Sequence, residues 1–338
     1  MLRGQENEMK SLPIRIGLVV VLVMLNCVAF AQTPTSVDSL VGAAKNAAGL
    51  EWAGTLLRLC IPPPPAAPAA AARGAAPGAN ATRPGNPARD AWYAEPAKVA
   101  DNLYFLGTKI HNAWAIVGSE GIIILEALFD YAAQDEIIGG MKKLGLDTGK
   151  IKYVILSHAH ADHDGGAKLL QDEIPGVHLV YGAEDWDAVD RSTNHAGGKP
   201  KRDIAGTDGM KISVGDAAVQ IVTMPGHTPG TTSVVVPVTD RGQRHIAFVL
   251  SGPRTETLET SRQMLTSEEK LAKVGKEKHV DVELTNHSYV DDSLPIIEAI
   301  RKRKPSDPNA YVIGEEGFQH FTGWQAECLR ADIARSEK

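Results

Sequence analysis

The segment LSHAHADHDGG, Leu156 to Gly166, sets three histidines and two aspartates directly behind an apolar run, IKYVIL. Imidazole and carboxylate are side chains that zinc accepts as ligands. His158 and His160 stand two apart, so in a chain just leaving a strand their rings can face one point, while Asp162 and His163 begin the turn toward a helix. Four such donors on one loop exceed what a single tetrahedral ion can share with ligands from elsewhere, so the pattern fits two adjacent ions. Gly165 and Gly166 would let the backbone pass close to that centre and start the helix. A lone histidine at a strand end reads as polar surface; the whole H-x-H-x-D-H cluster does not.

Two more histidines occupy comparable places. His227, in MPGHTPGTTS, sits in a glycine- and proline-framed turn between strands, where an imidazole has no evident packing role. His287, in VELTNHSYVDD, stands at the mouth of another apolar strand. His178 and His245 fall inside or beside strand patterns and read as structural. His111, His195, His279 and His320 have no metal-like neighbourhood in the sequence, although His111 and His195 could edge a cleft.

The elements that must position these residues alternate along the chain. NLYFLG and AWAIVGSEGIIILEA read as strands with a turn at Gly118 to Gly121, YAAQDEIIGGMKKLG as a helix ending at Gly145, and KYVILS as a short buried strand. GGAKLLQDEI reads as a helix stopping before Pro175, VHLVYG as a strand and AEDWDAVD as a helix. Further on, MKISVGDAAVQIVTMPG and TTSVVVPVTD form a meander, RHIAFVLSG and KHVDVELTNH are strands, and SLPIIEAIRKRK is a helix whose basic end, Arg301 to Lys304, reads as solvated. Two β-then-α halves of this kind are compatible with two packed sheets flanked by helices.

With 338 residues and 43% hydrophobic composition the chain can bury a sizeable core. A net charge of -6 and a pI near 6.0 offer no basic field for nucleic acid. Lys10 and Arg15 precede the apolar stretch IGLVVVLVMLNCVAF and then Ala29-Phe30-Ala31, the layout of a secretory signal cleaved after Ala31. The apolar run is shorter than the roughly 20 residues of a spanning helix, which argues against a retained anchor, and Asn26 before Cys27 argues against a lipoprotein. The expected organisation is therefore a signal peptide over 1–31, a helical segment and linker over 32–90, and one domain over 91–338, exported to the periplasm or beyond, without stable membrane insertion. The linker is the Pro/Ala-rich stretch from Ile61 to Arg89. Cys60 closes a helical segment beginning at Ser39, and Cys328 lies in a second helix, GWQAECLRADIARS; the sequence leaves open whether they form a disulfide or are separate buried thiols. Neither has a zinc ligand at chelating spacing.

H-x-H-x-D-H after an apolar strand, then a G-H-T-P-G turn, then a late strand-end histidine, is similar to the metallo-β-lactamase superfamily over roughly Trp92 to Lys304. The resemblance implies a four-layer αββα sandwich, here with an N-terminal Pro/Ala-rich extension, and two zinc ions per chain. His158, His160 and His227 would hold the first zinc; Asp162, His163 and His287 would hold the second. No cysteine lies between His227 and His287, and the first position is histidine instead of asparagine, which resembles the third lactamase subclass. Glyoxalase II-like relatives carry a metal-bridging aspartate where this chain ends a strand in Ser251 and Gly252.

The resemblance further implies a secreted zinc hydrolase of a small molecule, with a β-lactam amide the leading substrate and Asp162 the catalytic carboxylate steadying the attacking water. Zinc lowers the pKa of water from about 15.7 to about 7, so no separate base is required. There is no S-x-x-K or G-x-S-x-G motif to suggest a serine nucleophile. Ser251, Arg254 and Thr255 are candidates to receive a substrate carboxylate. Glu126 stands where the family has aspartate, a side chain that would orient the metal loop; it is one methylene longer, with Asp130 a possible substitute. Alternatives are a lactone, thioester or phosphodiester substrate on the same fold, or a metal-binding scaffold without hydrolysis.

Overall fold

A computed structural model describes residues 36–60, 86–252 and 255–337. The expected signal peptide, most of the linker and Arg254 lie outside the described residues.

Alternation along the strands sorts the apolar side chains into three layers. In β4 (Gly121–Leu125), Ile123 and Leu125 face one way and Ile122 and Ile124 the other, as the period of two demands. β4 belongs to a seven-stranded sheet in chain order: β1 (Ala97–Lys98), β2 (Leu103–Phe105), β3 (Trp114–Gly118), β4, β5 (Ile151–Ile155), β6 (His178–Gly182) and β7 (Ile204–Gly206). β1 to β4 pair antiparallel, whereas β4 to β7 pair parallel. The second sheet has the order β12-β11-β10-β9-β8, built from β8 (Lys211–Val214), β9 (Ala217–Thr223), β10 (Thr232–Asp240), β11 (Gln243–Leu250) and β12 (Val282–Thr285). Of these five, only β12 runs parallel to its neighbour, β11.

The middle apolar layer joins the sheets: Phe105, Trp114, Ile123 and Leu125 from the first meet Ile221, Val236, Val249 and Leu284 from the second. Behind the first sheet, Ile122, Ile124 and Tyr181 pack on Met141, Leu170 and Trp186 of helical segments. Behind the second, Val235 and Phe248 pack on Leu271, Phe318 and Phe321. Helices outside two face-to-face sheets are the expected αββα sandwich.

Several elements depart from the sequence reading. The helical segment before Cys60 is two helices, Val37–Ala48 and Ala53–Leu59, interrupted after Gly49, whose φ of 57° ends the first. Both pack into the same core layer as the C-terminal helix Gly314–Ser336, through Ala44, Trp52 and Leu56 against Phe321 and Trp324. A helix of 21 residues, Leu258–Lys278, occupies a stretch to which the sequence assigned nothing. The basic end of the helix Ser293–Arg301 is not simply solvated: Arg303 forms a two-pronged ion pair with Asp240 at 2.8 and 2.6 Å, both side chains largely covered. Cys60 and Cys328 are joined in a disulfide, with Cα atoms 5.3 Å apart.

Candidate metal centre

The sequence-predicted donors converge at one edge of the sandwich because they follow strands that end there. Glu126 follows β4, the His158 loop follows β5, His227 follows β9 and His287 follows β12. β3 runs antiparallel to β4, so the loop that enters it, with His111, reaches the same edge.

His158, His160 and His227 form one group, their ring nitrogens within 4.8 Å of one another. The rings meet edge to face, with centroids 4.7, 4.5 and 4.8 Å apart. His158 is fully buried, and its Nδ1 lies 2.8 Å from Ser157 Oγ, which leaves Nε2 to face the group. That Nε2 is buried without a hydrogen-bond partner among the described residues. A buried polar atom is rarely left so, and an orphan nitrogen aimed at two other imidazoles is what a metal ligand looks like before its ion is considered. Burial, and then the neighbouring imidazoles, push the His158 ring well below the ordinary histidine range; burial also lowers His160. Both are thereby held neutral, the form that binds metal.

The second group centres on Asp162. Its Oδ2 lies 3.1 Å from His163 Nε2, 3.4 Å from His111 Nε2 and 3.5 Å from His287 Nε2. His111 therefore does have a metal-like neighbourhood, contrary to the sequence reading: His111, Asp162 and His287 present ligand atoms within 4.8 Å of one another. Burial works against ionisation of Asp162, but the ring of imidazoles, His163 foremost, holds it far below the usual carboxylate range. Burial lowers His287 to about 3. For His163 burial is overcome by the carboxylates of Asp162 and Glu126, which hold the ring up at about 10. The donor sets fit metal ions of the zinc type, with nitrogen and carboxylate oxygen and no thiolate.

A frame of polar contacts fixes these side chains. Glu126 Oε2 accepts from Ser157 N at 3.3 Å and lies 3.6 Å from His163 Nδ1, so the longer carboxylate does reach behind the metal loop. Its φ is 70°, and that of Leu128 is 61°, an uncommon backbone for such residues. The loop is held there because Ala127 N donates to His163 O at 2.7 Å and Gly166 N to Leu128 O at 3.0 Å. Asp130 starts the helical segment beyond it.

Two positioning residues had no sequence signal. The Asn286 amide nitrogen lies 3.2 to 3.4 Å from Ser157 Oγ, His163 Nδ1 and Glu126 Oε1, and its oxygen lies 2.8 Å from His287 Nδ1. Asp185, in the first turn of the helix Ala183–Arg191, accepts from Ala159 N, Thr228 Oγ1 and Gly230 N. It thus ties the His158 loop to the turn bearing His227. The unanticipated helix Leu258–Lys278 covers that turn, with Ser267 Oγ donating to Pro225 O at 2.8 Å. Gly252, at φ 68°, lies beneath His227: a Cβ there would fall 2.5 Å from the histidine Cβ.

Of the proposed substrate contacts, Ser251 is buried with its N donating to Ser233 Oγ at 3.2 Å, and Thr255 Oγ1 lies 2.7 Å from Ser261 Oγ. His195 pairs with the buried Asp164 at 3.2 Å and belongs to neither donor group. His178 and His245 pair with Asp203 and Asp281.

Residues 106–246 match the sequence model of the metallo-β-lactamase superfamily. In structure the chain is similar to BJP-1, a subclass B3 metallo-β-lactamase of Bradyrhizobium japonicum, with a TM-score of 0.58 and 24% identity over 68% of this chain and 91% of that one. At that identity the likeness speaks for the fold. Among curated proteins it is similar to an N-acyl homoserine lactonase of a Bacillus species, 28% identical over 107 residues, 30% of this chain and 40% of the relative. It is also similar to the human mitochondrial persulfide dioxygenase ETHE1, 28% identical over 118 residues, 35% of this chain and 39% of the relative. The matched region spans about two fifths of these curated relatives.

Proposed function

We propose that the chain, whose residues 106–246 match the metallo-β-lactamase superfamily model and whose fold is similar to that of a solved metallo-β-lactamase, is a two-zinc hydrolase that opens the amide bond of β-lactams. The observation that carries this reading is the all-imidazole set of His158, His160 and His227 beside a second set around Asp162, with Ser251 and no carboxylate at the end of β11. Zinc bound there would supply a Lewis acid and a hydrolytic nucleophile at neutral pH. The chain supplies the rest. Ser157 fixes which nitrogen of His158 faces inward, burial keeps that ring neutral, and Asp162 stays ionised between the two sets. In that place Asp162 orients the attacking water and steadies the departing nitrogen. Thr255 and Arg254 remain the candidates to meet a substrate carboxylate; the buried Ser251 would contribute through the backbone it shapes.

A lactone is the second reading, favoured by the match to the N-acyl homoserine lactonase, since the same nucleophile attacks a cyclic ester. Metal-replete protein assayed in parallel on a chromogenic cephalosporin and an N-acyl homoserine lactone separates the two. Hydrolysis of neither would sink both and leave a thioester or phosphodiester substrate, or the metal-binding scaffold. We further propose that the chain works in the periplasm or outside the cell, a reading supported by the Cys60–Cys328 disulfide, which persists in oxidising compartments.

A further inference from the structure

We propose that His111 is a ligand of the second metal ion, so that Asp162 gathers three imidazoles, those of His111, His163 and His287, about one ion. The proposal deepens the two-metal reading above and rests on it. Zinc holds imidazole nitrogen and carboxylate oxygen at about 2.0–2.1 Å, which places the corners of a tetrahedral shell about 3.3–3.4 Å apart. The three ring nitrogens stand 3.1, 3.4 and 3.5 Å from Asp162 Oδ2, each close to that edge length. His111 fits this spacing as well as His287 does.

The placement of His111 is built into the backbone. Its own N donates to Thr108 Oγ1 at 2.9 Å, and Thr108 N returns a bond to His111 O at 2.7 Å, closing a tight turn. Residues 110–112 then pair with 286–288 as a short antiparallel ladder: Asn112 N donates to Asn286 O at 2.9 Å and Ser288 N to Ile110 O at 2.8 Å, with His111 opposite His287. The two rings sit 5.3 Å apart, and Phe129 meets His111 edge to face at 5.1 Å. Only 15% of the His111 side chain is exposed. A side chain of this length locked at the carboxylate on which the second set is built has little else to do there. With four protein donors the second site would be closed, in the manner of a structural zinc, whereas the first keeps three and an open position.

Stepwise zinc titration against a chromophoric chelator, on the full protein and on His111→Ala, His111→Gln and His111→Asp, tests this, together with the visible spectrum of the cobalt-substituted forms. Wild type should take two ions. His111→Ala and His111→Gln should keep the first and bind the second about tenfold or more weakly, with a changed cobalt spectrum, while His111→Asp, which restores a donor, should recover part of the loss. Retention of the first ion shows that each variant is folded. Unchanged affinity for the second ion and an unchanged spectrum in both His111→Ala and His111→Gln overturn the role of His111 and leave the two-metal reading standing. A wild type that takes only one ion, unaffected by either change, overturns both.

Discussion

Asp185 accepts hydrogen bonds from Ala159 N at 2.8 Å and from Gly230 N at 2.9 Å, one with each carboxylate oxygen, and so couples the loop between two metal-ligand candidates to the turn carrying a third. Its Oδ2 takes a further bond from Thr228 Oγ1 at 2.8 Å. Burial raises the Asp185 carboxyl, and these donors oppose that rise. Asp185→Ala would strand the buried Gly230 N at a cost of about 1–3 kcal/mol, and the partly covered Ala159 N and Thr228 Oγ1 at less. The expected outcome is a lower melting temperature and weaker binding of the first ion, with the second ion affected less. Equal weakening of both ions would mean that the residue acts through global stability alone.

Removal of His160 or His227 acts on the centre itself. Either change to Ala should leave a folded protein, by circular dichroism, that no longer hydrolyses substrate and binds at least one zinc fewer. Activity lost only together with the fold would recast these residues as structural.

Glu126 reaches Ser157 N and approaches His163 Nδ1, on the opposite side of the ring from Asp162. Losing a contact of this kind typically costs about ten- to a hundredfold in metal affinity or activity. Glu126→Gln should weaken the second ion by that order. Glu126→Asp retracts the carboxylate by one methylene and should weaken it too, because the glutamate spans the gap to the metal loop. Tighter binding in the aspartate variant would instead mark the longer side chain as a poor fit.

A pH effect is expected from a residue outside both donor groups. Glu268, on the helix Leu258–Lys278, is 3% exposed, has Oε2 without a hydrogen-bond partner among the described residues, and is raised by burial to about 8. Between its ordinary value of 4.5 and about 8 the folded chain keeps a proton that the unfolded chain has released. Stability therefore falls through that window as pH rises. Glu268→Gln cannot ionise, so its melting temperature should gain on wild type progressively from pH 5 to pH 8. A constant difference across that range would refute the assignment.

Donors that cluster in sequence were legible, and those assembled by the fold were not. His158, His160, Asp162 and His163 lie in one run, and His227 and His287 stand at strand ends where histidine has no packing use. His111, in TKIHNAW, has no donor near it in sequence; only the pairing of residues 110–112 with 286–288 brings it to Asp162. Asp185 reads as an ordinary acidic residue of a first helical turn, and its partners are 26 and 45 residues away. The helix Leu258–Lys278 is not legible in the sequence because its apolar residues are few among charged ones and its start is a Thr257–Thr260 capping box without the usual glutamate. The sandwich itself was legible because strand alternation and helix periodicity are local properties, each decided within a few residues.

The bond between Cys60 and Cys328, 268 residues apart in sequence, turns the chain topologically into a closed ring with two tails. Neither end of that ring exists in a physical sense, and the numbering that begins it is a convention of synthesis. Both sheets and all the candidate ligands lie inside that ring, while the helix Val37–Ala48 stands on one tail and is folded back into the core through Ala44.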